Sequence, residues 1–474
     1  MVNDSTLRAT GVTAAEAGAW LRAELPALLE KHGVPGAAAG VLVDGEIVAT
    51  ASGILNLSTR VEADDDSLFQ IGSITKLWTA SLVMQLVDDG LVDLDEPIRR
   101  YLPEFRIGDE AAAAAITTRQ LLSHQAGFEG DLFTDTGRGD DCVEKYVATL
   151  ADTPQLFAPG EMFSYNNAGY IVLGRLVEVL RGTSWEQAVA EHLIQPLGLT
   201  HAAAGAEDAI RFRAAIGHLP GPDGALAAAP VWNFARSNGP AGSSLSMRVA
   251  DLLAFARMHF EGGVAADGTR VLTPESVAAM QQPQVAVPPL GLMGDAWGLG
   301  WELDETPAGR MISHDGSTLG QNAFLRTLPD SGIAIALLTN GGNPIALYRD
   351  VFGELLERLV GSDVLKPMPS PDDLDVRVDD ARASRFVGTF SASVLDMTIT
   401  HDDEGRLWLD ETPKGFVAEL VTASPRTRLV PYGDDGLITA ERTMGSHWLY
   451  SFVGADEQGR ARFLHTGRAM PRTA

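Results

Sequence analysis

Ser73-Ile74-Thr75-Lys76, followed by the apolar run Leu77-Trp78-Thr79-Ala80-Ser81-Leu82-Val83-Met84, decides how the rest of this chain is read. The spacing predicts a helix opening at Ser73 and running to Gly90. Three residues apart on a helix, the Ser73 hydroxyl and the Lys76 amine share one face. A serine hydroxyl is a weak nucleophile until a neighbouring base takes its proton, and lysine is the basic side chain whose pKa falls readily on burial. The chain holds five lysines, at 31, 76, 145, 366 and 414, against thirty-one arginines. Positive charge alone is supplied here by arginine, so a lysine three residues after a serine carries weight. The pattern still arises by chance about 0.3 times in a chain of this composition. An N-cap serine before a solvated lysine has the same spelling, so the companions of the tetrapeptide decide its meaning.

At 474 residues the chain exceeds one ordinary core, and two or more domains are expected. Hydrophobic residues make up 45% and charged residues 21%, the balance of a globular protein in water. A formal net charge of −27 argues against nucleic acid or an anionic membrane as the main partner, since both would be repelled. It reads as an acidic, solvated surface. The single cysteine, Cys142, excludes an intrachain disulfide. The opening Met1-Val2-Asn3-Asp4-Ser5 has neither a basic nor an apolar region, and no stretch approaches the ~18 apolar residues of a membrane span. A cytoplasmic location without membrane attachment is the expectation.

Working outward from Ser73, Thr13-Ala14-Ala15-Glu16 has capping-box form and opens a helix whose apolar stripe (Trp20, Leu21, Leu25, Leu28, Leu29) ends near Gly33. Residues 37–51 read as a hairpin about Asp44-Gly45. The pattern is then mostly helical to about residue 280. A strand pair follows at 321–328 and 333–339, and a helix at 344–360. Both chain ends would build one antiparallel sheet flanked by helices, with the middle forming a helical subdomain, an α+β layout. The stretch Lys366-Pro367-Met368-Pro369-Ser370-Pro371 marks a Pro-rich linker over 366–381. It separates a domain of residues 1–365 from one of 382–474. In the latter, short alternating segments around 397–410, 429–440 and 447–465 predict hairpins of a small antiparallel β-barrel.

Two further segments give the tetrapeptide its context: Pro159-Gly160-Glu161-Met162-Phe163-Ser164-Tyr165-Asn166-Asn167 and Ile312-Ser313-His314-Asp315-Gly316-Ser317. With Ser73-x-x-Lys76 they resemble the three motifs of the serine β-lactamase and penicillin-binding-protein superfamily, whose S-x-x-K serine is a nucleophile. The class C-type branch, with its esterases, D-aminopeptidases, D,D-carboxypeptidases and acyl-transferring or peptide-cyclising members, is the most similar. The resemblance runs from about residue 13 to 360 and takes in Leu121–Gly127, Pro196–Leu199 and Pro240–Ser244 as scaffold. The C-terminal segment resembles, more weakly, the lipocalin-like extension of some of these relatives.

The resemblance implies a role for each residue. Ser73 is the nucleophile. Lys76 is its proton acceptor, or the charge that keeps a partner phenol ionisable. Tyr165 is the tyrosine that moves the proton on to the leaving group, near neutrality only with cations beside it. Asn167 hydrogen-bonds Lys76 and the acyl side of the substrate. Gly316 and Ser317 bound the substrate, with the backbone N–H groups of Ser73 and Ser317 as oxyanion hole. The third motif departs from the common Lys-Thr-Gly form. His314 replaces a permanent charge with a group charged only part of the time near neutral pH. That speaks against antibiotic resistance and places His314 near Tyr165, to tune it or to bind substrate. Ser123-His124 reads as scaffold, since neighbours in sequence rarely face each other.

The function expected is cofactor-free, metal-free serine hydrolysis of a small-molecule or peptide ester or amide. Acyl transfer or macrocyclisation onto an amine or alcohol acceptor is the alternative from the same residues. A sensor that acylates once is the alternative of another class. Oligomeric state is not legible in the sequence.

Overall fold

The computed structural model describes residues 10–473 apart from 222, 292, 363, 416, 417, 419–424 and 444. The opening residues Met1–Ser5 thus lie outside the described part. Helix α1 (Ala14–His32) begins at a reciprocal capping box between Thr13 and Glu16 and stops at Gly33, whose φ of 61° is left-handed. Strands β1 (Gly36–Val43) and β2 (Glu46–Asn56) form the expected hairpin. Its turn residues Asp44 and Gly45 both have positive φ, as a two-residue turn matching strand twist requires.

Strand β3 (Val61–Glu62) follows, then a 3₁₀ turn Gly72–Ile74 that carries Ser73, then α2 (Thr75–Asp88). Helices α3 (Asn167–Arg181) and α4 (Val249–Phe260) belong to the helical region. The chain returns to the sheet through β4 (Val285–Ala286), β5 (Ala296–Trp297), β6 (Glu302–Thr306), β7 (Gly309–Ser317), β8 (Asn322–Leu328) and β9 (Ile333–Thr339), and closes with α5 (Pro344–Val360).

Among the described residues these strands make a nine-stranded antiparallel sheet in the order β3-β2-β1-β9-β8-β7-β6-β5-β4. Strands from both ends of the chain meet at its centre, where Ala37 pairs with Thr339 and Val43 with Ile333. Both strands are buried along their whole length, because each face of the sheet is covered. One face packs on the helical region around Trp78, Trp185 and Phe255, the other on α1 and α5. The fold is therefore α+β. The expected strand pair at 321–339 is present, but the sheet extends four strands further towards the N-terminus. Two-residue strands such as β4 and β5 are too short to show alternation, and β7 is buried on both faces, so neither has a period-2 signature.

No helix or strand is assigned from 366 to 379. Eight strands then follow: β10 (Gly388–Ser391), β11 (Leu395–His401), β12 (Leu407–Pro413), β13 (Thr427–Tyr432), β14 (Gly436–Thr439), β15 (Leu449–Val453), β16 (Phe463–His465) and β17 (Ala469–Pro471). They pair in sequence order. A bridge from Phe390 to Arg472 and a bond from Thr473 N to Thr389 O bring the two ends together, leaving the barrel nearly closed. Phe463 and Ala469 of this sheet are buried against Phe157 and Met162, next to the second motif. Among the described residues no helix is long and apolar enough to cross a membrane.

Candidate active site

Ser73 sits in the 3₁₀ turn that leads into α2, one turn before Lys76. Lys76 is wholly buried, with Nζ 3.1 Å from Ser73 Oγ and donating to Ala241 O at 2.6 Å. Burial holds its pKa well below the usual lysine value; the Arg468 charge adds to this and Asp131 opposes it. The amine is therefore biased towards the neutral form, which has a lone pair for a hydroxyl proton.

The second motif precedes α3. Asn166 caps that helix through its side chain, which accepts from Gly169 N at 2.7 Å. Tyr165 is thereby held over the amine, with Lys76 Nζ 4.9 Å from its ring centroid. Burial pushes the phenol pKa well up, while contact with the Ser73 hydroxyl and the Arg468 charge pull the other way. The third motif lies on β7. Gly316 packs so tightly on the Ser73 turn that a Cβ there would stand 1.9 Å from Ile71 O. Gly72 answers from the other side: its φ is +51°, and a Cβ would stand 2.5 Å from Ser317 N. Two glycines thus let the backbones of Ser73 and Ser317 approach each other. Ser73, Tyr165, His314, Gly316 and Ser317 all line one cleft of about 700 Å³.

Two expectations are corrected. Asn167 does not bond Lys76; its Nδ2 donates to Asp131 Oδ1 at 2.6 Å. The amide N–H is held by the Asp131 carboxylate, a strong acceptor, and Lys76 Nζ donates to the Ala241 carbonyl instead. Nor is His314 partly charged near neutrality. Burial, with Lys76 nearby, lowers its pKa to about 3, and its Nδ1 donates to Asp315 O at 2.6 Å. It is a neutral ring 6.3 Å from that of Tyr165.

Two side chains at the site were missed. His124 stacks on Tyr165 with centroids 4.3 Å apart, and its Nδ1 accepts from Asn166 N at 2.9 Å. Its φ is 58°, and its ring packs on Phe163 and Tyr165 of the second motif. Arg468 comes from the turn between β16 and β17. Its guanidinium lies 4.7 Å from the Tyr165 ring centroid, and its Nε donates to Asp131 Oδ2 at 2.9 Å. The same turn holds the motif by its backbone: Tyr165 N donates to Gly467 O at 2.9 Å, and His465 Nε2 donates to Phe163 O at 2.8 Å. A single arginine in a hairpin turn carries no motif, so no sequence signal pointed to it. Asp131 thus joins Asn167 of α3 to Arg468 of the C-terminal sheet.

A weak nucleophile beside a buried amine, a protonated phenol and two closely approaching backbones is an arrangement suited to acyl transfer. The family model described as "Beta-lactamase" matches residues 21–359. "Penicillin-binding protein 4" of Amycolatopsis lactamdurans is 45% identical over 356 residues, which are 74% of this chain and 93% of the relative. The crystal structure of SurE superposes with a TM-score of 0.77 at 30% identity, over 97% of this chain and all of SurE. SurE with D-Leu gives 0.74 at 32%, over 97% of this chain and 99% of that one. The C-terminal sheet lies beyond the family match but within the SurE superposition. The three motifs, the sheet built from both chain ends and these matches place the chain in the beta-lactamase family, among its penicillin-binding-protein-like members.

Proposed function

We propose that the chain is a serine acyl hydrolase that forms an acyl-enzyme on Ser73 with peptide-like esters or amides. The observation that carries this is the buried Lys76 amine 3.1 Å from Ser73 Oγ. Neutral Lys76 accepts the Ser73 proton as Oγ attacks the carbonyl carbon, and the backbone N–H groups of Ser73 and Ser317 receive the oxyanion. As the intermediate collapses, the carbonyl re-forms and the leaving amine or alcohol departs with a proton delivered through Tyr165, which Lys76 resupplies. Water then attacks the ester by the same route in reverse. Each oxyanion donor is worth about 3 kcal/mol of transition-state stabilisation. The likeness to SurE, solved with D-Leu, supports a D-configured residue in the substrate.

The C-terminal sheet favours a second reading. Tyr432, Leu449 and Arg468 line the same cleft as Ser73. A wall there limits the entry of water and leaves room for an amine or alcohol of the substrate itself, giving transacylation or macrocyclisation. Mass spectrometry of the products from a panel of D- and L-peptide esters, with and without added amine, separates the two. Free acid as the sole product under all conditions supports hydrolysis. Amide or ring products support transfer. No turnover after a single burst contradicts both and leaves a sensor.

A further inference from the structure

The cleft does not end at Ser73. Strand β6 pairs with β7 only as far as Glu302 opposite Ser313, so β7 residues 314–317 pair with β8 alone and leave one edge free. The cleft wraps round that edge. His314 lies on the Ser73 side, while Glu302, Asp315 and Arg326 line its far side, towards α5.

The charges there do not balance. Arg326 grips Asp315 with two bonds, of 2.5 and 3.0 Å, and its Nε donates to Tyr348 Oη at 3.1 Å. Lys366 lies 2.6 Å from Asp295 and 2.5 Å from Asp304. At the rim, Arg349 donates to the Lys366 carbonyl. Glu302 is left over. It is 6% exposed and lines the cleft, and its carboxyl has no hydrogen bond or ion pair among the described residues. Burial pushes its pKa up to about 8; the Arg326 and, less, the Lys366 charges draw it down without bonding it, and Asp315 and Asp304 push it further up. A buried carboxyl without a partner is costly, and a ligand that supplies one is held in proportion.

We propose that Glu302 anchors a subsite for a primary ammonium on an alkyl stem, a lysine- or ornithine-like side chain of the substrate. The stem has apolar walls in Met311, Phe324 and Leu365. With its pKa raised, Glu302 is mostly protonated when the cleft is empty; an ammonium brought beside it favours the ionised form, and a compact ammonium on a flexible stem is the cation that fits one carboxyl at the end of an apolar-walled cleft. The peptide character of this substrate rests on the acyl-enzyme reading above.

The test uses esters of short peptides carrying lysine, norleucine or glutamate at either residue flanking the ester. At one position the wild-type chain should turn over lysine at least about tenfold better than norleucine by kcat/KM, the scale of a hydrogen bond to a charged group. Glutamate should be poorest, and Glu302→Gln should bring the lysine-to-norleucine ratio close to one. Equal rates for lysine and norleucine at both positions, or a ratio that survives in Glu302→Gln, overturn the subsite. Calorimetry of the matching peptide amides on Ser73→Ala gives the second arm. Tighter binding of lysine there, with no ester turnover by the wild type, keeps the subsite and overturns the acyl-enzyme reading. Turnover at Ser73 that ignores the side chain does the reverse.

Discussion

Burial does opposite things to the two groups beside Ser73. It disfavours the Lys76 ammonium, so that the amine loses its proton more readily, and makes the Tyr165 phenol keep its own. The neutral fraction of Lys76 rises with pH through its lowered pKa, so acylation should rise on the acid side and then level off. Tyr165 stays protonated beyond the ordinary phenol value of about 10, so no alkaline fall is expected below it. A pH profile of kcat/KM with an activated ester checks this; a decline with an apparent pKa near that of a free phenol would show Tyr165 titrating there. Lys76→Ala and Tyr165→Phe should each cost roughly 10²–10⁴-fold in kcat. Because they share one proton path, the double variant should be little worse than either. Losses that multiply would mean that the two groups act independently.

At the scale of elements, the site depends on how closely β7 meets the turn before α2. Gly316→Ala puts a methyl carbon 1.9 Å from the Ile71 carbonyl, and backbone on both sides must move. It should cost at least about 1–3 kcal/mol of stability and lower kcat with less change in KM, since the Ser317 N–H is displaced from the oxyanion position. Thermal melting and steady-state kinetics measure both; a variant with native kcat would remove Ser317 from the mechanism. These elements were partly legible in the sequence. α1 announced itself through its capping box and αL glycine, and the β1–β2 hairpin through Asp44-Gly45. The Ser73–Lys76 proximity followed from helical spacing alone. The partner of Asn167 did not, because spacing tells which groups lie near one another but not which acceptor wins a proton. The charge state of His314 was equally hidden, since it depends on burial by Trp297 and on Lys76, which only the folded chain brings near.

For the whole molecule, the C-terminal sheet takes part in the site. Arg468 reaches Tyr165 only because β16 and β17 dock beside Phe163–Tyr165, an adjacency between chain segments too far apart for any local pattern to report. Removing residues 366–474 would strip the Tyr165 N–H of its acceptor and uncover Phe157 and Met162. A truncated chain should therefore lose selectivity and some stability together. The Asp131–Arg468 pair isolates the effect. Asp131→Asn and Arg468→Ala should show a coupling of about 0.5–3 kcal/mol in a double-mutant cycle on kcat/KM, whereas strict additivity would reduce Arg468 to a surface contact. The central claim is covalent chemistry at Ser73, and intact-protein mass spectrometry of an acid-quenched reaction with a peptide ester tests it most directly. The account predicts a mass increase equal to the acyl group, mapped to the peptide containing Ser73 and absent from Ser73→Ala; an adduct that persists in that variant, or steady turnover with no adduct at any quench time, would contradict it.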